Sequence, residues 1–148
     1  MKPTVRTKKL CENAVLPKYG TEFAAGADLY ACMDAEAVTL APGETKLIRT
    51  GIALEIPAGY AGFVFARSGL ASKRGLAPAN KVGVIDSDYR GELMVALHNH
   101  SRIPQSVENG ERIAQMVILP YLAVDFIESD TLDDTERGAG GFGSTGTK

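Results

Sequence analysis

Glycine and proline break this chain at intervals of roughly eight to twelve residues, and the stretches between them are rich in β-branched and aromatic side chains. That spacing predicts an all-β sandwich or barrel. Lys46–Thr50 and Ile52–Ile56 read as strands, the second placing Ile52, Leu54 and Ile56 on one face. Pro57-Ala58-Gly59-Tyr60 predicts a tight turn, through proline at its second position or glycine at positive φ, followed by a partly buried strand over Tyr60–Ala66. Glu92–His98 alternates Leu93, Val95 and Leu97 with Met94, Ala96 and His98, and Arg112–Leu119 alternates in the same way. Between Val107 and Arg112 the Asn109-Gly110 pair predicts a hairpin. One short helix is expected, Ser68–Arg74, with Ser68 capping its first turn and Gly75 ending it in the left-handed conformation. Everything else reads as strand or turn. From about Ser129 the pattern gives way to a glycine-rich tail, which implies a β domain over 1–128 and a flexible C-terminal segment over 129–148.

At 148 residues and 45% apolar composition, the chain can bury a core without disulfides or a structural metal. Its 16 basic and 18 acidic residues leave a net charge of −2, so no bulk field gathers polyanions and stable nucleic-acid binding is not expected. Small anionic ligands remain compatible with that balance. The apolar runs Leu93–Leu97 and Met116–Leu119 are far shorter than the roughly 20 residues a membrane span needs. Residues 1–15 carry basic side chains but no signal-peptide core, so a cytoplasmic location is expected. Cys11 and Cys32 lie far apart, without a C-x-x-C spacing or a nearby histidine, and read as two separate thiols.

Four segments could carry chemistry. The tail contains Gly141-x-Gly143-x-x-Gly146, but two residues remain after it, so no helix can follow to receive a pyrophosphate, and no Lys-Ser/Thr pair makes it a P-loop. It is either a solubilising tail or a segment whose exposed N–H groups wrap an anion, with Arg137, Ser144, Thr145 and the flat face of Phe142 in support. Ala66-Arg67-Ser68-Gly69 joins a guanidinium and a hydroxyl to the first turn of the expected helix, which makes either an anion site or a plain cap beside a surface arginine. Gly83-Val84-Ile85-Asp86-Ser87-Asp88-Tyr89-Arg90-Gly91-Glu92 is a dense polar turn in which an aspartate is either a turn former or a general base or metal ligand. His98-Asn99-His100 places two imidazoles on one strand face but lacks the further ligands of a metal nuclease, and reads as a strand end.

Taken in order, Ala25–Ala31, Ala66–Leu70, Gly83–Gly91, Gly110–Met116 and the glycine-rich tail resemble the five motifs of the trimeric dUTPases, and the match covers nearly the whole chain. The resemblance implies a jelly-roll β-sandwich forming a homotrimer, with sites shared between subunits. It implies Mg²⁺-dependent hydrolysis of dUTP to dUMP and pyrophosphate by water attacking the α-phosphorus. Such a reaction limits uracil entry into DNA and supplies dUMP for thymidylate synthesis.

Residue by residue, the resemblance makes Asp86 the carboxylate that orients and deprotonates water, and Tyr89 the ring under the deoxyribose that leaves no room for a 2′-hydroxyl. Asn80, Gly83, Val84 and Ile85, with Met94 nearby, match the hairpin pocket that reads uracil and excludes a 5-methyl group. Arg67, Ser68 and Gly69 match the phosphate segment, Gln115 a phosphate or water contact, and Asp28 the acid that meets the Mg²⁺ shell through water. Arg137 would reach the γ-phosphate, Phe142 stack on uracil, and Gly143, Ser144 and Thr145 cover the phosphates, making residues 129–148 a lid. Two other readings differ in kind. One is a dCTP deaminase-like enzyme, whose Glu-bearing signature is not apparent here and which ammonia release would reveal; the other is a nucleotide-responsive module that binds a protein partner.

Overall fold

The computed structural model describes residues 2–141. Its elements run β1 (Arg6–Lys9), β2 (Lys18–Tyr19), β3 (Ala27–Tyr30), β4 (Ala37–Leu40), β5 (Thr45–Glu55), β6 (Tyr60–Phe65), α1 (Ser68–Arg74), β7 (Leu76–Pro78), β8 (Gly83–Ile85), β9 (Glu92–Asn99), β10 (Gln105–Glu108) and β11 (Arg112–Pro120). One sheet has the order β1-β5-β9-β7, a second β2-β3-β11-β6-β8, and β10 pairs with β4. Every pairing is antiparallel. The inner faces enclose Leu29, Ile48, Ile52, Leu93, Leu97 and Ile113 in one apolar core. The architecture is therefore an all-β, jelly-roll-type sandwich with, among the described residues, a single short helix.

The strand alternation predicted for residues 92–98 holds: Leu93, Val95 and Leu97 are buried, and Met94 faces outward. The two strands expected at 46–50 and 52–56 are one, β5, whose pairing with β9 slips between Arg49 and Ala53 around Gly51 at φ +67°. At 57–60 the turn is closed by Tyr60 N–H to the Pro57 carbonyl, and Gly59 at φ +85° supplies the bend. The helix has the expected bounds and Gly75 stops it at φ +66°, but Ser68 is its first residue rather than its cap: Arg67 holds the cap position without a side-chain bond.

Two expectations are overturned. Asn109-Gly110 does form a tight turn, with Glu111 N–H bonded to the Glu108 carbonyl, yet β10 and β11 belong to different sheets, so the segment is a crossover and not a hairpin. Cys11 and Cys32 are not separate in the fold; their sulfurs meet over Gly51, where an added Cβ would crowd both, with the Cα atoms 7.8 Å apart, wider than a relaxed disulfide spans. Sequence spacing carries no trace of this, because the contact depends on how the chain start lies across β5. Buried Asn99 ends β9 as a polar lock, its amide bonding the Leu40 and Ile103 carbonyls at 3.0 and 2.8 Å. That pairing is what makes a fully buried amide tolerable. Beyond Pro120 the described residues contain no further strand, and Leu122, Phe126 and Ile127 are almost fully exposed. Among the described residues no helix is long and apolar enough to cross a membrane.

Candidate active site

The first cavity, about 240 Å³, lies where β3, the start of α1 and β11 meet. Asp28 is buried at its floor and bridges two guanidinium groups, accepting from Arg67 Nε at 2.7 Å and from an Arg112 terminal nitrogen at 3.3 Å. One carboxylate between two cations leaves the cluster with a surplus positive charge. Arg67 precedes α1 directly, and the first intrahelical bond runs from Ala71 N–H to the Arg67 carbonyl, so the N–H groups of Ser68 and Gly69 precede that ladder. Gln115 donates to the Ala66 carbonyl at 2.9 Å, which seats its amide beside Arg67. A Cβ on Gly26 would overlap that amide, so the glycine keeps room for it. The arrangement is suited to a multiply charged anion, because guanidinium forks and oriented amides bind phosphate oxygens with charge-assisted bonds.

Arg112 is a site residue that the sequence motif contained without revealing. On a regular strand, residues three apart face opposite sides. The pairing of β11 with β3 slips between Arg112 and Ala114, and that irregularity brings Arg112 and Gln115 to the same cavity. Arg74 stands apart: its guanidinium holds Glu111 and the Ser106 carbonyl, a structural tie at the other end of the helix.

The second cavity, about 260 Å³, is lined by Leu47, Val84, Ile85, Asp86, Tyr89 and Met94 together with the start of β9. Strand β8 carries Gly83, Val84 and Ile85 along the edge of its sheet, paired only with β6. A turn follows, closed by Tyr89 N–H to the Asp86 carbonyl at 3.2 Å, and Arg90 braces it by donating to the Ser87 carbonyl at 2.7 Å. Among the described residues no side-chain hydrogen bond engages the Asp86 carboxylate, so its oxygens remain open to the cavity's contents. The Tyr89 hydroxyl donates to the Glu92 carbonyl at 3.0 Å. Asn80 stands beside Gly83 rather than in the lining, in a turn where Lys81 takes φ +65°. Leu47, from β5, adds an apolar wall that no motif singles out.

No residue lines both cavities, so among the described residues the two stand apart. Arg137 lies near the end of the described chain, its Nε bonded to the Gly140 carbonyl at 2.8 Å, while Phe142, Gly143, Ser144 and Thr145 lie outside the described residues. No group of three or more His, Cys, Asp or Glu among the described residues could hold a metal by itself. At His98 and His100 the rings meet edge to face with centroids 4.3 Å apart, and His98 bonds the Thr45 hydroxyl.

The model of the dUTPase family matches residues 12–146. A deoxyuridine 5′-triphosphate nucleotidohydrolase of Desulfitobacterium hafniense is 59% identical over 132 residues, covering 88% of this chain and 87% of its own. A mutant dUTPase of Staphylococcus bacteriophage 80alpha, solved with dUpNHpp, superposes with a TM-score of 0.87 at 31% identity, covering 97% of this chain and 98% of its own. A mutant dUTPase from phage phi11 of S. aureus, described for the coordination of a structural Mg(II) ion, superposes with a TM-score of 0.79 at 27% identity, covering 88% of this chain and 99% of its own.

Proposed function

The chain belongs to the dUTPase family, and we propose that it hydrolyses dUTP to dUMP and pyrophosphate at a site completed by other copies of itself. The observation that carries this reading is the pairing of an arginine-lined anion cavity with a separate hairpin cavity whose aspartate has no side-chain partner among the described residues. Neither half suffices alone. A triphosphate needs its charge neutralised, and the attacking water needs a base in line with the leaving group. Asp86 takes the water's proton as the new oxygen–phosphorus bond forms at the α-phosphorus, and the bond to the bridging oxygen breaks with its electron pair leaving on pyrophosphate. Arg67, Ser68, Gly69 and Gln115 hold the phosphates. Gly83 to Ile85 present backbone groups to uracil, with Asn80 and Met94 beside them, and Tyr89 lies beneath the deoxyribose.

Magnesium fits this donor set only as an ion carried with the substrate. Both Asp28 oxygens already face guanidinium groups, so direct coordination would break an ion pair, whereas contact through the ion's water shell would not. An ion that sheds water reluctantly suits that arrangement, and it would supply further neutralisation of the phosphate charge. We read the assembly as a homotrimer: the split site needs a second chain, and the exposed Leu122, Phe126 and Ile127 offer apolar surface for one to cover. Residues 129–148 act as the lid, Arg137 on the γ-phosphate, Phe142 on uracil, and Gly143, Ser144 and Thr145 over the phosphates. A cytoplasmic setting belongs to this proposal, and there the thiol pool would hold Cys11 and Cys32 reduced.

Pyrophosphate release from dUTP, dTTP, dCTP and UTP with Mg²⁺ tests the whole. Turnover of dUTP alone is expected; silence on dUTP from a folded trimer would refute it, and ammonia from dCTP would move the chain to the deaminase reading.

A further inference from the structure

We infer that Gly91 is the positioning residue that sets sugar selectivity, because it provides the seat on which the Tyr89 ring lies. This rests on the reading that Tyr89 supports the deoxyribose. An added Cβ at Gly91 would fall well inside van der Waals contact with the Tyr89 hydroxyl and the ring carbons next to it. The ring is therefore folded back over the Gly91 backbone, and its hydroxyl is fixed by the Glu92 carbonyl at 3.0 Å. Two contacts, one of shape and one polar, determine where this half-exposed ring stands in the cavity it shares with Asp86.

Glycine is needed here for space and not for backbone freedom. Gly91 is absent from the positive-φ glycines, so alanine suits its backbone and only the tyrosine has to move. The nearby atoms are the far end of the tyrosine side chain, so the ring turns away from Gly91 and the backbone stays. Alanine at 91 removes the ring from its seat and from Glu92, taking away the platform beneath the sugar. The uracil-reading backbone on β8 is held separately, by its register with β6, and stays in place. Gly91 thus acts on sugar choice without touching base choice.

The test compares kcat/KM for dUTP, UTP and dCTP in the full-length protein and in Gly91→Ala, Tyr89→Phe and Tyr89→Ala, with circular dichroism and oligomeric state confirming the fold. Since a misplacement of about 1 Å can cost on the order of 10²-fold, Gly91→Ala should lower the dUTP:UTP ratio by at least ~10-fold. The dUTP:dCTP ratio should change by less than about twofold, a split that general damage to the site would not produce. Tyr89→Phe, which keeps the seat and loses the hydroxyl bond, should fall between the two proteins. If Gly91→Ala keeps the wild-type dUTP:UTP ratio while Tyr89→Ala loses it, the inference about Gly91 is overturned and the reading of Tyr89 stands. If Tyr89→Ala also keeps the ratio, the reading of Tyr89 itself fails. Should Gly91→Ala not fold, Tyr89→Phe decides: an unchanged sugar ratio overturns the anchored-ring inference, and a selective fall supports it.

Discussion

The cavity around Asp28 and the cavity around Asp86 are nearly equal in volume and opposite in construction. In the first, the carboxylate is committed: it is buried and joined to Arg67 and Arg112, so the chain has already arranged its charges before any ligand arrives. In the second, the carboxylate projects from a backbone turn braced by Arg90, and among the described residues no side chain engages it. The carboxylate that organises charge is held by other side chains, whereas the one proposed to take up a proton is, among the described residues, held only by its backbone. Asp28 thus organises the two arginines, while Asp86 is left open to the contents of its cavity.

Removing the proton acceptor breaks this contrast most severely. Asp86→Asn keeps the shape of the turn and deletes the base, so kcat should fall by roughly 10²–10⁴ while dUTP binding and thermal stability stay near wild type. Steady-state kinetics beside an equilibrium binding measurement separate the two, and wild-type turnover would remove Asp86 from its assigned role.

Oxidising Cys11 and Cys32 to a disulfide should have a second, unequal effect on the two halves. It ties the chain start to the segment after β3, the strand that carries Asp28, and closes a loop of 21 residues in sequence separation. Chain entropy sets the difference between the oxidised and the reduced protein at about 3 kcal/mol. Urea unfolding with and without reductant measures it. Hydrogen exchange should quicken in β3 and remain unchanged in β8 and β9; uniform quickening would show that the halves are not separately supported.

How much of this was legible depended on whether the signal was local. The bounds of α1 could be read because Gly75 marks a helix stop wherever the chain goes next. Leu93, Val95 and Leu97 could be read because a half-buried strand alternates whatever it pairs with. Asn109-Gly110 announced a turn but not its consequence, since a turn motif does not say which sheet receives the next strand. Cys11 and Cys32 meet only through the tertiary path, and Arg112 joins Gln115 only through an irregularity in pairing. The motifs led to both cavities; their depth, their separation and the second arginine had to come from three dimensions.

Asp28→Asn sharpens the same comparison with a smaller effect on stability. It leaves two guanidinium groups without their shared partner, and because Arg112 is half exposed the loss should be about 1–2 kcal/mol, below the 3–5 kcal/mol of a fully buried pair. KM for dUTP should rise more than kcat falls, since the arginines persist but are no longer held in place. An equal loss in Asp28→Asn and Asp86→Asn of kcat alone would erase the division of labour between the carboxylates.

The smallest effect lies at the far end of β9, where pH dependence should belong to the fold and not to either cavity. A slight desolvation of its exposed ring, then the neighbouring His98 and Lys81, hold the His100 pKa below its ordinary 6.5. The unfolded chain therefore takes up this proton first, and the contribution to stability, complete above pH 6.5, declines as pH falls from there through the folded value. For an exposed ring the change should stay within about 0.5 kcal/mol, the scale of surface substitutions. NMR titration of the ring protons should place His100 below 6.5, and His98→Gln should raise it only part of the way, because desolvation is the larger cause. His100→Gln should remove the slope in stability and leave the pH profile of dUTP hydrolysis unchanged; a shifted profile would tie this strand end to the Asp86 cavity and break the separation between them.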